Sequence, residues 1–434
     1  MEFIESIKAR VQKSFFWRFT AGNIYLVLFS LLVFITPLVI VRGANELYEF
    51  PKMFFVYFFG SFIMAFFFTD IVLHPVKLKK PSLLVVLFIS VTAISTVFSS
   101  NLYTSFFGYY SRFNDGLLSY IVFFGLYFVA INKLKKGDFI KLFKISILTF
   151  VPIAAVGLAQ HFWTGAMWPY TTVERVFSTF GQPNWLAQYL AVMLTICVYF
   201  ALAEKLNRFY IWVVLYFFGF YCFWLTYSLS GLLAIAVGFF SLFLFFFGKE
   251  RFSKDALVKL FVLWTLSLCI IFANPGIFKG RVNDAIFDLK RADILFQKAY
   301  AAGEDYKISD PGFIRMGLWD STYKLITSSP KIFFLGTGPE TFPYTYQPFR
   351  SERLNYSSEW DFVFNKPHDY YLEIWSESGL FALVLYVALV LKTAFNSHYF
   401  VFPAIMAFAV SNIFGWPVVV TAMLFWLFVS YSEV

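Results

Sequence analysis

Residues 184–203 read NWLAQYLAVMLTICVYFALA, a run without one charged side chain. A helix of that length rises about 30 Å, the thickness of the hydrocarbon core of a bilayer. Inside lipid every backbone N–H and C=O must find its partner within the segment, and a helix satisfies that condition. The flanks differ in kind. RVFSTFGQP precedes the run and is rich in turn formers, whereas EKLNR follows it with Lys205 and Arg208. Runs of the same character recur near 23–42, 53–73, 82–98, 116–132, 140–162, 209–226, 229–248, 257–274, 373–392, 399–415 and 417–431. They predict an all-α integral membrane protein with about twelve transmembrane helices.

The composition of the 434 residues agrees: 59% are hydrophobic and only 14% charged, and 62 are Phe. A soluble domain carries roughly 45–50% apolar and 25% charged residues. The net charge of +9 does not point to nucleic acid, because the basic residues sit in short clusters between apolar runs and make no continuous patch. With the N-terminus inside, the short inner segments hold fifteen Lys and Arg (Lys77, Lys79, Lys80, Lys133, Lys135 and Lys136 among them), and the short outer ones hold four. That asymmetry follows the positive-inside rule. Cys197, Cys222 and Cys269 each fall within an apolar run and suggest neither a disulfide nor a metal framework.

Residues 1–20, MEFIESIKARVQKSFFWRFT, place Ile4, Ile7, Val11 and Phe15 on one helical face and four basic residues elsewhere. This reads as a cytoplasmic amphipathic helix on the membrane surface, with a frayed tail as the alternative. A signal peptide is not expected, since the next run is long enough to span and no small-residue cleavage site intervenes. The expected organisation is then helix 1–20, spans 1–9 over 21–274, a large external loop over 275–372, and spans 10–12 over 373–434. The corner Gly415, Trp416, Pro417 is all that separates the last two spans.

The loop holds twelve Lys or Arg and twelve Asp or Glu, and is the one part that reads like soluble protein. Asp310-Pro311 signals a helix start, and FIRMGLWDSTYKLITSS runs at helical spacing to Pro330, with Arg315, Trp319 and Thr322 on one face. KIFFLGTGPETFP then reads as a turn around Gly336, Gly338 and Pro339.

Topology does not require the charges on the outer side. Arg112 lies in GYYSRFNDGLLSY, Arg175 in ERVFSTFGQPNWLAQYL, Arg315 opens the loop helix, and His368 lies in KPHDYYLEIWSESGL. Arginine suits phosphate and diphosphate because its planar fork donates paired hydrogen bonds and never loses its charge. A snorkelling role explains Arg112 equally well on spacing alone. Gly181, Pro183 and Asn184 start a helix whose free N–H groups face outward to an anion, though a plain cap explains the same turn. His368, the one histidine of the loop, titrates near pH 6.5 when unperturbed and suits proton abstraction from a sugar hydroxyl; His74, His161 and His398 lie near span ends and read as interfacial fillers. The chain has no nucleotide-binding glycine loop, no His/Cys metal cluster, no Ser-His-Asp order and no Asp-x-Asp pair. Chemistry here is expected to need no metal or other cofactor and to use an activated substrate.

The order RVFSTFGQPNWLAQYL, YSLSGLLAIAVG, FIRMGLWDSTYKLITSSPKIFFLGTGPETFPYTY and KPHDYYLEIWSESGLFALV resembles the O-antigen ligase and O-antigen polymerase superfamily of bacterial membrane glycosyltransferases. GYYSRFNDGLLSY and VVVTAMLFWLFVS also fit, so the resemblance covers about 330 residues. It implies a GT-C membrane fold in the bacterial inner membrane, with the active site facing the periplasm or exterior. The donor would be a glycan on undecaprenyl diphosphate, and the acceptor a hydroxyl of a lipid core sugar, another glycan or a protein. Arg175 and Arg315 match positions that hold the diphosphate, Arg112 matches less closely, and His368 matches the loop histidine that acts as base or positions the acceptor. Family members often read His-Asn there; this chain has His-Asp, so Asp369 either holds the imidazole or points away. The implied reaction is inverting. Ligase, polymerase and protein O-oligosaccharyltransferase all share this donor site, in that order of fit. A flippase for lipid-linked glycans is the reading from another class. Such transporters often carry internal repeats and midplane charges, and neither is evident here.

Overall fold

The computed structural model describes residues 24–44, 46–163, 174–249, 254–286, 310–357, 359–397 and 400–434. The surface helix expected over 1–20 lies outside these. All regular structure among the described residues is helical. Six helices are long and apolar enough to cross a membrane and six shorter ones are apolar, which makes the chain a membrane protein.

The helices are α1 (Ile24–Ile35), α2 (Glu49–Leu73), α3 (Leu83–Val97), α4 (Leu102–Phe107), α5 (Leu117–Lys133), α6 (Lys136–Leu148), α7 (Phe150–Phe162), α8 (Pro183–Ala203), α9 (Phe209–Trp224), α10 (Leu229–Lys249) and α11 (Lys254–Ala273). After the long loop's α12 (Asp310–Thr327), α13 (Pro330–Leu335) and α14 (Phe342–Thr345) come α15 (Tyr370–Asn396), α16 (Val401–Ser411) and α17 (Val419–Glu433). The run expected over 140–162 is α6 and α7, which meet at Thr149 and together make one of the six long apolar stretches.

The centre is α8, buried along nearly its whole length because its sequence offers no polar face. It packs against α9, α10 and α16. Small residues make that approach possible: Gly231 of α10 faces Ala187, and Gly238 faces Thr195 and Ala407. At one end of the bundle polar side chains tie the helices together. Tyr25 and Lys133 both reach Asp70, at 2.7 and 2.6 Å, and Glu433 accepts from Tyr127 at 2.6 Å and Lys392 at 2.7 Å. Lys259 donates to the carbonyls of Leu202 and Glu204, satisfying the last turn of α8.

At the other end the chain builds its site. α15 breaks at Gly379, whose φ of 83° leaves the helical region. The carbonyls freed by the break do not stay unpaired: Thr337 N–H donates to Ser376 at 3.0 Å and Gly338 N–H to Glu377 at 2.7 Å. The expected turn around Gly336, Gly338 and Pro339 thus docks into the kink. A Cβ on Gly379 would strike the carbonyl of Phe334, and one on Gly336 the carbonyl of Glu377.

Candidate active site

A cleft with about 390 Å³ of empty space opens among the starts of α8, α10 and α15, the loop helix α12 and the corner between α16 and α17. Asn184, Trp185, Arg315, His368 and Trp416 line it. Four of the residues singled out in the sequence therefore meet here or one bond away.

Arg175 stands in the bend that leads into α8. Its Nε donates to Thr226 O and its Nη2 to Asn184 Oδ1, both at 2.9 Å, while Ser228 Oγ donates to the same Asn184 oxygen at 2.8 Å. Asn184 is thus both the second residue of α8 and the group that aims Arg175. Gln160 pins the bend itself, taking the Ser178 N–H at 2.7 Å and donating to the Ser178 carbonyl at 3.1 Å. Arg315 comes from the first turns of α12, and its Nη2 donates to Phe414 O at 3.3 Å. Burial, then the charges of Arg281 and Arg315, hold Arg175 down to about 10. Arg315 is lowered by burial and by Arg281. The Arg281 charge thus acts on both Arg175 and Arg315. Arg281, just after α11, was not singled out in the sequence; its only signal was a lone arginine early in a loop of mixed charge.

His368 has a φ of 59°, uncommon for a residue with a side chain. Its Nδ1 lies 3.2 Å from the carbonyl of Lys366. A carbonyl only accepts, so Nδ1 carries the hydrogen and Nε2 the lone pair. The ring meets Trp416 edge to face at 5.2 Å. Burial and then Arg315 push the imidazole down to about 4, against the Lys366 bond and with Arg112 adding to the fall. Asp369 does not turn to the ring: its Oδ1 accepts the N–H groups of Tyr371 and Leu372 and caps α15. Burial raises its carboxyl to about 6.

Arg112 places its guanidinium 4.9 Å from the Trp185 ring and 5.9 Å from Trp416. Its Nε and Nη1 are buried without a hydrogen-bond partner among the described residues, as is Trp416 Nε1. Trp319 lies one turn beyond Arg315 on α12, also with a buried indole N–H that has no hydrogen-bond partner among the described residues.

The structure also joins residues that no motif connected. Lys366 Nζ lies 3.2 Å from Asp115 Oδ2 and 2.5 Å from both Glu340 Oε1 and Glu373 Oε1. One oxygen of each of these three carboxylates lies within 4.8 Å of the others, and the Lys366 ammonium bonds to all three. The three carboxylates hold Lys366 well above its ordinary value despite its burial.

No curated protein matches the chain. Residues 213–387 match the family model Wzy_C, described as O-antigen ligase. That segment contains Arg281, Arg315, Lys366 and His368, and it is similar to the O-antigen ligase family.

Proposed function

We propose that the chain transfers a glycan from undecaprenyl diphosphate to an acceptor hydroxyl at the external face of the bacterial inner membrane, with inversion and without a metal. The observation that carries the reading is the meeting in one cleft of a neutral imidazole, with Nε2 as its lone-pair nitrogen, and the guanidinium of Arg315, with Asn184 bringing Arg175 to the rim. The proton of the acceptor hydroxyl passes to His368 Nε2 as its oxygen bonds to the anomeric carbon. The bond from that carbon to the diphosphate oxygen breaks, and Arg175 and Arg315 take up the charge growing on the leaving group. The unpartnered donors of Trp416 in the cleft, and of Arg112 behind the Trp185 and Trp416 rings, suit acceptor-rich phosphate or sugar oxygens. In this reading the unpartnered indole N–H of Trp319, one turn along α12 from Arg315, is a donor for the acceptor.

Twelve crossings with both termini inside belong to this reading, since they set the cleft outside. The acceptor we favour is a lipid core sugar, as for a ligase; a polymerase or a protein O-oligosaccharyltransferase would use the same donor chemistry. The test is transfer from undecaprenyl-diphosphate-linked glycan by purified protein in detergent with a chelator present and no nucleotide or gradient. Arg175→Ala, Arg315→Ala and His368→Ala are each expected to lose about 10²–10³-fold in kcat, the scale seen when one group that stabilises developing charge is removed. Near-normal transfer in all three variants would sink the proposal, and transport without transfer would favour a flippase.

A further inference from the structure

The proposed reaction leaves unused Lys366, a loop cation that is almost completely buried. The Lys366 side chain is 1% exposed and those of Glu340 and Glu373 are 2% and 3% exposed. Taking such charges out of water is costly, and a well-packed apolar cluster would often serve stability as well. The question is what the cluster holds in place. Its members come from three segments: the loop 108–116 through Asp115, the turn 336–341 through Glu340, and the entry to α15 through Lys366 and Glu373. Glu377 closes the knot by accepting the N–H groups of Glu340 at 2.8 Å and Phe342 at 3.0 Å.

Each segment leads directly to the site. Arg112 is three residues before Asp115. His368 is two residues after Lys366, and its Nδ1 donates to the Lys366 carbonyl. The backbone at these points is held in a conformation that side chains disfavour: φ is 57° at Asp115, 59° at Glu340 and 59° at His368. Such conformers persist only where the surroundings over-determine them. The Lys366 ammonium also lies 5.9 Å from the Trp416 ring, the ring that His368 meets with its edge.

We propose that Lys366 is a positioning residue, whose ammonium, clamped by Asp115, Glu340 and Glu373, fixes both the backbone that orients His368 and the loop that carries Arg112. Its bearing on catalysis rests on the proposed glycan transfer. The clamp itself does not.

Two readouts separate the two. The first is carbethoxylation of His368 by diethyl pyrocarbonate in purified full-length protein, followed by mass spectrometry, with His74 at the opposite end of the bundle as internal reference. The second is glycan transfer from undecaprenyl-diphosphate-linked donor. In Lys366→Met the His368 rate is expected to rise about threefold or more as the ring loses its fixed carbonyl partner, with His74 unchanged. kcat is expected to fall about 100-fold, with KM nearly constant, as for a reacting group displaced by an ångström. Lys366→Arg, which keeps the charge, should recover much of both, a rescue that simple loss of packing does not predict. A folded Lys366→Met whose His368 rate matches wild type overturns the clamp. Where Lys366→Met does not fold, Asp115→Asn and Glu373→Gln each remove one arm at constant shape. A changed His368 rate in either supports the clamp, and wild-type rates in both overturn it. A wild-type protein that transfers no glycan, with the labelling responses intact, overturns the reaction and leaves the clamp standing.

Discussion

His368 at about 4 is a weak base in the free protein, and the reason lies partly in Arg315 and Arg112 facing it. A bound diphosphate brings negative charge to the same arginines and so favours the imidazolium. The pH profiles should therefore separate. The acid limb of kcat/KM, which reports the free protein, is expected near pH 4, and that of kcat, which reports the complex, at distinctly higher pH. Arg315→Gln removes one of the charges that lower the ring, so it should move the first limb up and narrow the gap. Coincident limbs in wild type would mean that the donor does not approach the imidazole. In stability the sign is fixed too: between pH 6.5 and about 4 the unfolded chain binds the proton and the folded one resists it, so His368 makes the fold weaker as pH falls through that window. A second test concerns Asn184, which aims Arg175. Asn184→Ala should cost about tenfold in kcat/KM, and Asn184→Asp distinctly more, because a carboxylate on that guanidinium takes the charge meant for the donor and repels it. Asn184, Arg175 and His368 stand out in the sequence as polar residues just outside apolar runs, and Arg315 as a charge that opens the loop helix. Lys366 and its carboxylates do not. Asp115 and Lys366 lie 251 residues apart, and only the folded chain brings them together.

Among the elements, the kink in α15 decides where the site can form. Without the break at Gly379, the carbonyls of Ser376 and Glu377 would bond within the helix and could not receive the turn that carries Glu340. Gly379→Ala is expected to destabilise by about 2–4 kcal/mol, since it combines a left-handed φ with a collision against Phe334 O. Gly137→Ala is the contrast: no atom lies within 4 Å of a Cβ there, at the second residue of α6. That change should be neutral or stabilising by up to about 1 kcal/mol. Thermal unfolding of the two variants in detergent checks the pair, and equal Tm values would deny the kink its structural role. The glycine turn over 336–339 and the span after it were both readable. Their clasp was not, because glycine within an apolar run is tolerated in a straight helix and only the approach of a second backbone makes it obligatory.

At the scale of the whole molecule the shortest helices carry an argument about topology. α16 has 11 residues and α17 has 15, lengths of roughly 16 and 22 Å, less than the hydrocarbon core of about 30 Å. If each is a crossing, their shared corner, 412–418, sits below the membrane boundary. A non-helical backbone at that depth survives only where protein partners satisfy it. Such partners are present: Tyr370 N–H donates to Asn412 O at 2.8 Å, Val418 N–H to Thr421 Oγ1 at 2.9 Å, and Val419 N–H to Glu49 at 2.8 Å. The corner places Trp416 as the floor of the cleft. This geometry leaves two possibilities for the chain end, a pair of full crossings or a re-entrant hairpin that never reaches the far side. The ion pair of Lys392 with Glu433, joined by Tyr127, binds the last residues of α17 to the end where α5 and α15 terminate. In either case α17 returns to the side on which α15 ends, and the C-terminus shares a side with Lys133. Green fluorescent protein fused after Val434 should fluoresce and alkaline phosphatase fused there should be inactive, while phosphatase inserted at the exposed Trp360 should be active. If the phosphatase after Val434 is active instead, an odd number of crossings holds, and the inward reading of the Lys392–Glu433 end falls with it.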